Sequence, residues 1–165
     1  MPVVLSRAKG VWAWDVNEKK YLDMMSGYSA VSHGHAHPEL LRVFHEQSSK
    51  LSLTSRAFYT DTLGPYLETI TKISGFEMCL PMNSGAEAVE TAIKSSRRWA
   101  YRTKKVKPGK AEIIVAEGNF HGRTTTIISF STDENSRHDF GPHNPGFVTV
   151  KSVSYTHLTL PTTGV

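Results

Sequence analysis

The sequence predicts an α/β fold, in which an N-terminal β-hairpin region precedes strands and helices that alternate as they do in a parallel sheet. Three observations support this prediction. Two β-prone runs flank a polar turn near the start of the chain, and two amphipathic helical segments follow them. Further along, two short apolar runs each lead into a turn of small and polar residues, which is typical of the strand-to-helix connections of α/β domains.

Composition and charge exclude several classes of protein. The chain has 165 residues, 39% of them hydrophobic, which suffices for the core of one soluble domain. It contains no run of about 18 uncharged apolar residues and no signal-peptide pattern at its start, so we expect no membrane partner. The net charge of +4 is modest and partly concentrated in residues 97–110. No nucleic-acid-binding motif accompanies these charges, so we interpret them as a solvated helix end and expect no nucleic-acid partner.

A hairpin and two helices account for the first half of the sequence. Residues 10–24 carry two β-prone runs around a polar turn at 17–19, which predicts a hairpin. Residues 38–51 repeat apolar side chains at helical spacing, behind a proline that the first turn of a helix accepts. Residues 61–74 form one apolar stripe at the same spacing, and Gly75 follows where a C-terminal cap belongs.

A strand, a turn and a third helix follow. Apolar side chains alternate with others along residues 76–82, which predicts a strand. Ser84 and Glu87 have the spacing of a capping box, so a helix is predicted to begin at Gly85. The N–H groups of Gly85 and Ala86 then lie at the positive end of the helix dipole, an arrangement suited to a phosphate. A plain helix cap explains the same residues, so this turn alone leaves both interpretations open.

The second strand-to-helix turn favours the ligand interpretation. Residues 111–117 form a short apolar run between polar turns, as expected for a buried parallel strand. The turn that follows carries Phe120, a flat ring, His121, a group for proton transfer or stacking, and Arg123, a planar carboxylate binder. A phosphate cradle, an aromatic platform and a carboxylate fork together predict a site for a phosphorylated aromatic cofactor and an amino acid.

Three histidines raise the alternative of a metal site. His33, His35 and His37 are two residues apart, and a strand would place their imidazoles on one face. Gly34 and Pro38 disfavour a strand at this position. We therefore expect no metal site.

These motifs resemble the class III aminotransferases, a family of pyridoxal-phosphate enzymes. The segments GVWAWDVNEKKYLDMMSGYSAVSHGHAHPEL, LPMNSGAEAVETAIK and GNFHGRT occur in the order of the family, and SRAFYTDTLGPY is similar to its ornithine-transferring members. The resemblance covers about residues 2–147 and implies part of a fold type I aminotransferase. An N-terminal hairpin and connecting segment would span 1–60, and the first part of the large, mostly parallel-sheet cofactor domain would span 61–152. Residues 153–165 do not fit the family and resemble translated adaptor sequence, so we expect a non-native tail there.

For the cofactor, pyridoxal 5'-phosphate, the resemblance implies five binding residues. Ser84, Gly85 and Ala86 correspond to the loop that holds the cofactor phosphate. Phe120 corresponds to the ring that stacks on the pyridine. His121 stands beside it, at a position where family members carry histidine or tryptophan.

For the substrates, the resemblance implies ornithine and 2-oxoglutarate. Arg123 corresponds to the residue that holds a substrate carboxylate, and Tyr28 to a tyrosine that lines the ornithine pocket. The Schiff-base lysine of the family and the acidic partner of the pyridine nitrogen both lie further downstream. No catalytic residue is therefore expected in this chain, and the chain alone is expected to be inactive.

Several questions stay open at the level of sequence. Acetylornithine or 4-aminobutyrate would serve another member of the family as amino donor, and a non-catalytic anion-binding module would explain the phosphate turn alone. The resemblance implies a homodimer or a larger homo-oligomer for the parent protein. It leaves the compartment open between the mitochondrial matrix and the cytoplasm.

Overall fold

The structure, a computed structural model, describes residues 3–55 and 57–152. Contacts divide the chain into two compact units, Met1–Ser74 and Gly75–Val165. No helix among the described residues is long and apolar enough to cross a membrane. The tail predicted over 153–165 lies outside the described residues.

The first unit begins with a three-stranded antiparallel sheet. Its strands, in the order in which they lie side by side, are β1 (Leu5–Lys9), β2 (Trp12–Asp15) and β3 (Lys20–Leu22). β2 and β3 confirm the predicted hairpin. Sequence reasoning did not predict β1, because its residues are mostly polar and show no apolar alternation. The strand forms because it pairs along the edge of β2.

Asp15 closes the hairpin at the end of β2. Its Oδ1 accepts hydrogen bonds from the backbone N–H groups of Asn17 at 2.8 Å and Lys19 at 3.0 Å, and its Oδ2 accepts from the hydroxyl of Tyr21 at 2.8 Å. Burial raises the pKa of Asp15, but the hydrogen bonds from Tyr21, Lys19 and Asn17 outweigh it. The pKa of this carboxyl therefore lies below its ordinary value.

Three helical elements complete the first unit. α1 (Ser26–Ser29) is a single turn, and α2 (Pro38–Lys50) and α3 (Leu63–Ser74) are longer. α2 and α3 confirm the two predicted helices, and Gly75, with φ of +73°, ends α3 as predicted. Neither α2 nor α3 has a fully buried residue in the described chain, so the side chains of their apolar stripes are exposed or only half-buried.

The strand predicted over residues 76–82 is wrong. These residues form no strand, and Phe76, Met78 and Leu80 expose 72%, 85% and 71% of their surface. Apolar alternation says which face of a strand would be buried, but the strand itself requires a neighbour that pairs with its backbone. Neither sheet of the described residues includes this segment.

The second unit pairs two parallel strands beside a long helix. Its elements, in chain order, are α4 (Gly85–Arg102), β4 (Ile113–Ala116), α5 (Thr125–Ile128), α6 (Glu134–Arg137) and β5 (Phe147–Val150). β4 confirms the strand predicted over 111–117, and it pairs in parallel with β5. Helices lie between the two strands in the chain, as parallel pairing requires a crossover.

The core of this unit lies between α4, β4 and the segment around α5. Ile93, Val115, Ile127 and Phe130 form the buried cluster, and Ile127 is only 1% exposed. Ala86, in the first turn of α4, packs against the same cluster. The start of α4 is therefore held by the core, which fixes the position of the predicted phosphate loop.

Candidate functional site

Ser84 caps the start of α4. Its backbone is extended, and its Oγ accepts a hydrogen bond from the backbone N–H of Glu87 at 3.2 Å. The Glu87 carboxylate accepts from the same Oγ at 3.4 Å. This cap occupies the N–H of Glu87, whereas helix geometry leaves the N–H groups of Gly85 and Ala86 without partners inside the helix. Two donors thus remain at the positive end of an 18-residue helix.

Gly85 is not explained by packing within the described chain. Its backbone is not left-handed, and a Cβ built at this position would meet no atom within 4 Å. Glycine in a helix is less favourable than alanine by roughly 0.5–1 kcal/mol. The open space beside two N–H donors fits the predicted phosphate, which would approach the backbone closely at a glycine.

The second predicted turn, between β4 and α5, contacts the first. Gly122 has φ of +121°, and a Cβ there would lie 2.9 Å from the Cβ of Ala86. The side chain of Thr124, which caps α5, donates a hydrogen bond to a carboxylate oxygen of Glu90 on α4. The backbone of one turn therefore lies directly against the side chain of the other, and only glycine at 122 permits this approach.

The side chains of Phe120 and His121, both in this turn, lie in different environments. The Phe120 side chain is largely exposed, at 73%, and offers a ring face to a ligand. The His121 ring lies 5.9 Å from that of Phe130, so it borders the core. With Val89, Ile93 and other residues, His121 lines a cavity of about 320 Å³.

Sequence reasoning missed Asn119, which anchors the turn before Phe120. Its side-chain amide donates to the backbone oxygen of Ala116 at 2.6 Å and to that of Phe130 at 3.2 Å. The neighbouring N–H of Gly118 donates to the Thr132 hydroxyl at 2.9 Å. A polar residue next to a glycine at the end of a buried strand is the signal that indicates such an anchor.

Arg123 lines a second cavity, of about 450 Å³, together with Asp133, Ser136 and others. Among the described residues Arg123 forms no ion pair, so its guanidinium is available to a ligand. The hydrogen bond from Ser136 and then the N–H of Asn135 lower the pKa of Asp133, and the charge of Arg123 adds to this effect. The cavity thus combines a cation with an ionised carboxylate, and a ligand with both an amino and a carboxylate group suits that pair.

Tyr28 lies on α1 in the first unit, whereas the other six predicted site residues lie in the second. Its side chain is 87% exposed.

The three histidines of residues 33–37 do not converge on one point. His35 forms a hydrogen bond with Asp23, and the rings of His33 and His37 contact each other edge-on with their centroids 6.2 Å apart. No cluster of metal-binding side chains occurs in residues 3–55 and 57–152.

Comparisons with known proteins agree with the resemblance in the sequence. Residues 1–161 match the family described as aminotransferase class-III. An ornithine aminotransferase of Brevibacillus brevis is 56% identical over 147 residues, which cover 89% of this chain and 37% of the relative. The chain therefore spans about 37% of the length of that relative.

Two solved structures resemble the chain over most of its length. The ornithine aminotransferase of Toxoplasma gondii is 40% identical with a TM-score of 0.89, and the match covers 92% of this chain and 36% of that one. An acetylornithine aminotransferase of Elizabethkingia anophelis is 55% identical with a TM-score of 0.74, covering 91% of this chain and 36% of that one. The described units are part of a fold type I aminotransferase. The chain belongs to the class III aminotransferases.

Proposed function

We propose that this chain is the N-terminal part of an ornithine aminotransferase. The enzyme transfers the δ-amino group of ornithine to 2-oxoglutarate and produces glutamate semialdehyde and glutamate, with pyridoxal 5'-phosphate as cofactor. The observation that carries the proposal is the contact between Gly122 and Ala86, because it joins a turn with phosphate-binding geometry to a turn with an exposed aromatic ring. The names of the Brevibacillus and Toxoplasma relatives support ornithine as the donor.

Ser84, Gly85 and Ala86 hold the cofactor phosphate in this proposal. The N–H groups of Gly85 and Ala86 donate to the phosphate oxygens, and the open space at Gly85 admits them. Hydrogen bonds to a charged group contribute about 1.5–3 kcal/mol each, so two such donors are a substantial part of cofactor affinity. The Ser84 cap accepts from the N–H of Glu87 and leaves the N–H groups of Gly85 and Ala86 to the ligand.

Phe120 supports the cofactor ring, and Arg123 orients the substrate. When bound, pyridoxal phosphate supplies the electron sink that lets an amino group leave one carbon skeleton and join another. The exposed ring of Phe120 offers a stacking face, and His121 braces the turn against Phe130. Arg123 binds a substrate carboxylate through two parallel N–H donors, which fixes the direction of the carbon chain.

Tyr28 distinguishes ornithine from donors with one amino group. Ornithine carries a second amine, which does not react, and 4-aminobutyrate lacks it. A tyrosine hydroxyl accepts a hydrogen bond from that amine, and a site built for such a contact discriminates strongly against a substrate without it.

We also propose that the parent enzyme is a homodimer or a larger homo-oligomer.

A series of amino donors tests the proposal. The assay uses the full-length enzyme, in which this sequence continues through the rest of the family's length. Glutamate formation from 2-oxoglutarate is measured with ornithine, acetylornithine and 4-aminobutyrate. We expect the highest kcat/KM with ornithine. A preference for acetylornithine would support the second candidate, which the Elizabethkingia structure favours. Phosphate binding without a visible cofactor absorption would indicate a simple anion-binding module.

A further inference from the structure

The segment that carries Tyr28 adopts a strained backbone. Ser26, Tyr28 and Ser29 have φ of +43°, +55° and +71°, and Gly27 lies between them at +57°. α1 is thus a left-handed turn in which three of four residues have a Cβ. Left-handed helical conformation is unfavourable for each such residue, because its Cβ lies too close to the following carbonyl oxygen. Strain of this kind persists only where surrounding contacts enforce it, and it often marks a functional site.

The carboxylate of Asp23 provides two of these contacts, in addition to backbone hydrogen bonds within the segment. Its Oδ1 accepts hydrogen bonds from the backbone N–H groups of Met25 and Ser26, both at 2.9 Å, at the entry to α1. Its Oδ2 lies 2.7 Å from Nε2 of His35. A carboxylate only accepts, so Nε2 of His35 carries the hydrogen of this bond. The bond from His35, followed by those from Ser26 and Met25, lowers the pKa of Asp23 and keeps the carboxylate ionised.

Asp23 and His35 are also fixed through their backbones to the turn between β1 and β2. The N–H of Asp23 donates to the oxygen of Val11 at 2.9 Å. His35 and Gly10 exchange two backbone hydrogen bonds, each 2.8 Å long. Gly34 permits this approach, because a Cβ there would lie 3.1 Å from the Cα of Gly10. The loop 24–34 is therefore closed at its base by backbone bonds to this turn and by one side-chain bond between its two anchored ends.

We propose that His35, through Asp23, is a positioning residue for Tyr28. Their hydrogen bond fixes the Asp23 carboxylate, which holds the entry to α1, and so orients the left-handed turn that presents the Tyr28 hydroxyl to the second amine of ornithine. This inference rests on the proposed function, since it assigns a purpose to the orientation of Tyr28. The side chains of His35 and Asp23 are only 28% and 18% exposed, so the bond is partly shielded from competing water.

Kinetics of His35→Ala in the full-length enzyme test the inference. A catalytic group displaced by about 1 Å loses up to about 100-fold in rate, so we expect kcat/KM for ornithine to fall about 10- to 100-fold. Turnover of 4-aminobutyrate, cofactor affinity and KM for 2-oxoglutarate should change little. His35→Gln places an amide N–H near the position of Nε2 and should restore most of the preference for ornithine. His33→Ala, which alters an exposed histidine of the same loop, is the matched control.

A double-mutant cycle separates positioning from general support of the fold. If His35 acts through Tyr28, then His35→Ala should reduce the ornithine preference far less in a Tyr28→Phe enzyme than in the wild type. Equal effects in both backgrounds, or an equal loss for every donor, would overturn the inference. If His35→Ala does not fold, His35→Asn, whose amide is too short to replace Nε2, carries the same expectation.

The two proposals fail in different ways. A wild-type enzyme that uses ornithine, with an unchanged donor preference in His35→Ala, would overturn the positioning role alone. A wild-type enzyme that does not accept ornithine would overturn both.

Discussion

Gly85→Ala should raise stability and lower cofactor affinity in the full-length enzyme. The added methyl group meets no atom within 4 Å in the described chain, so it causes no clash. Alanine is the better helix former by up to about 1 kcal/mol, so the apoenzyme should become more stable by a few tenths to 1 kcal/mol. The same methyl group occupies the space that we assign to the phosphate. Loss of one charged hydrogen bond, about 1.5–3 kcal/mol, corresponds to a roughly 10- to 100-fold weaker cofactor affinity.

Two measurements on Gly85→Ala check that stability and cofactor affinity change in opposite directions. Thermal unfolding of the apoenzyme reports stability, and titration with pyridoxal phosphate, followed by visible absorption, reports affinity. Gly64→Ala is the matched control, because Gly64 lies near the start of α3 with equally open space around it. It should leave cofactor affinity unchanged, and its gain in stability should be smaller than that of Gly85→Ala, because Pro65 follows and disfavours helical backbone at a preceding residue that has a Cβ. If Gly85→Ala binds the cofactor as tightly as the wild type, the phosphate is not held at this helix start.

Four further changes test other parts of the structure. Arg123→Lys keeps the charge but loses the paired donors, so KM for both carboxylate substrates should rise in steady-state kinetics while cofactor absorption is unchanged. Tyr28→Ile should shift the measured donor preference from ornithine toward 4-aminobutyrate, and an equal loss for all donors would contradict the assignment. Gly122→Ala should weaken cofactor binding by titration, because its Cβ would lie 2.9 Å from a neighbouring Cβ, whereas Gly118→Ala, with left-handed φ but open space, should not. The lowered pKa of Asp15 adds stability above its ordinary value of 3.8 that is lost as pH falls through the lower folded value. Tryptophan fluorescence during acid titration should therefore show a transition in the N-terminal sheet that Asp15→Asn flattens.

Local signals predicted the elements whose causes lie within a few residues. The cap of α4 depends on Ser84 and Glu87, three residues apart, and the structure forms it. The β2–β3 hairpin likewise depends on a short polar turn. The prediction of a strand over 76–82 was wrong for the opposite reason. Apolar alternation leads to a strand only where a neighbouring strand is present, and no sheet of the described residues includes this segment.

Sequence reasoning did not predict contacts between residues that are distant in the chain. The turns at Ala86 and Gly122 were each predicted to bind a ligand, but their direct contact appears only in the fold. The hydrogen bond between Asp23 and His35 joins residues 12 apart, and it depends on backbone bonds that His35 makes with Gly10. No local pattern marks such a pair, because the intervening loop must first close.

A crystal structure of the full-length enzyme with pyridoxal phosphate tests the central claim most directly. We expect the phosphate oxygens to lie within hydrogen-bond distance, about 2.7–3.2 Å, of the backbone nitrogens of Gly85 and Ala86. The pyridine ring should stack on Phe120. A phosphate bound away from the start of α4, or a cofactor ring that does not contact Phe120, would contradict the account.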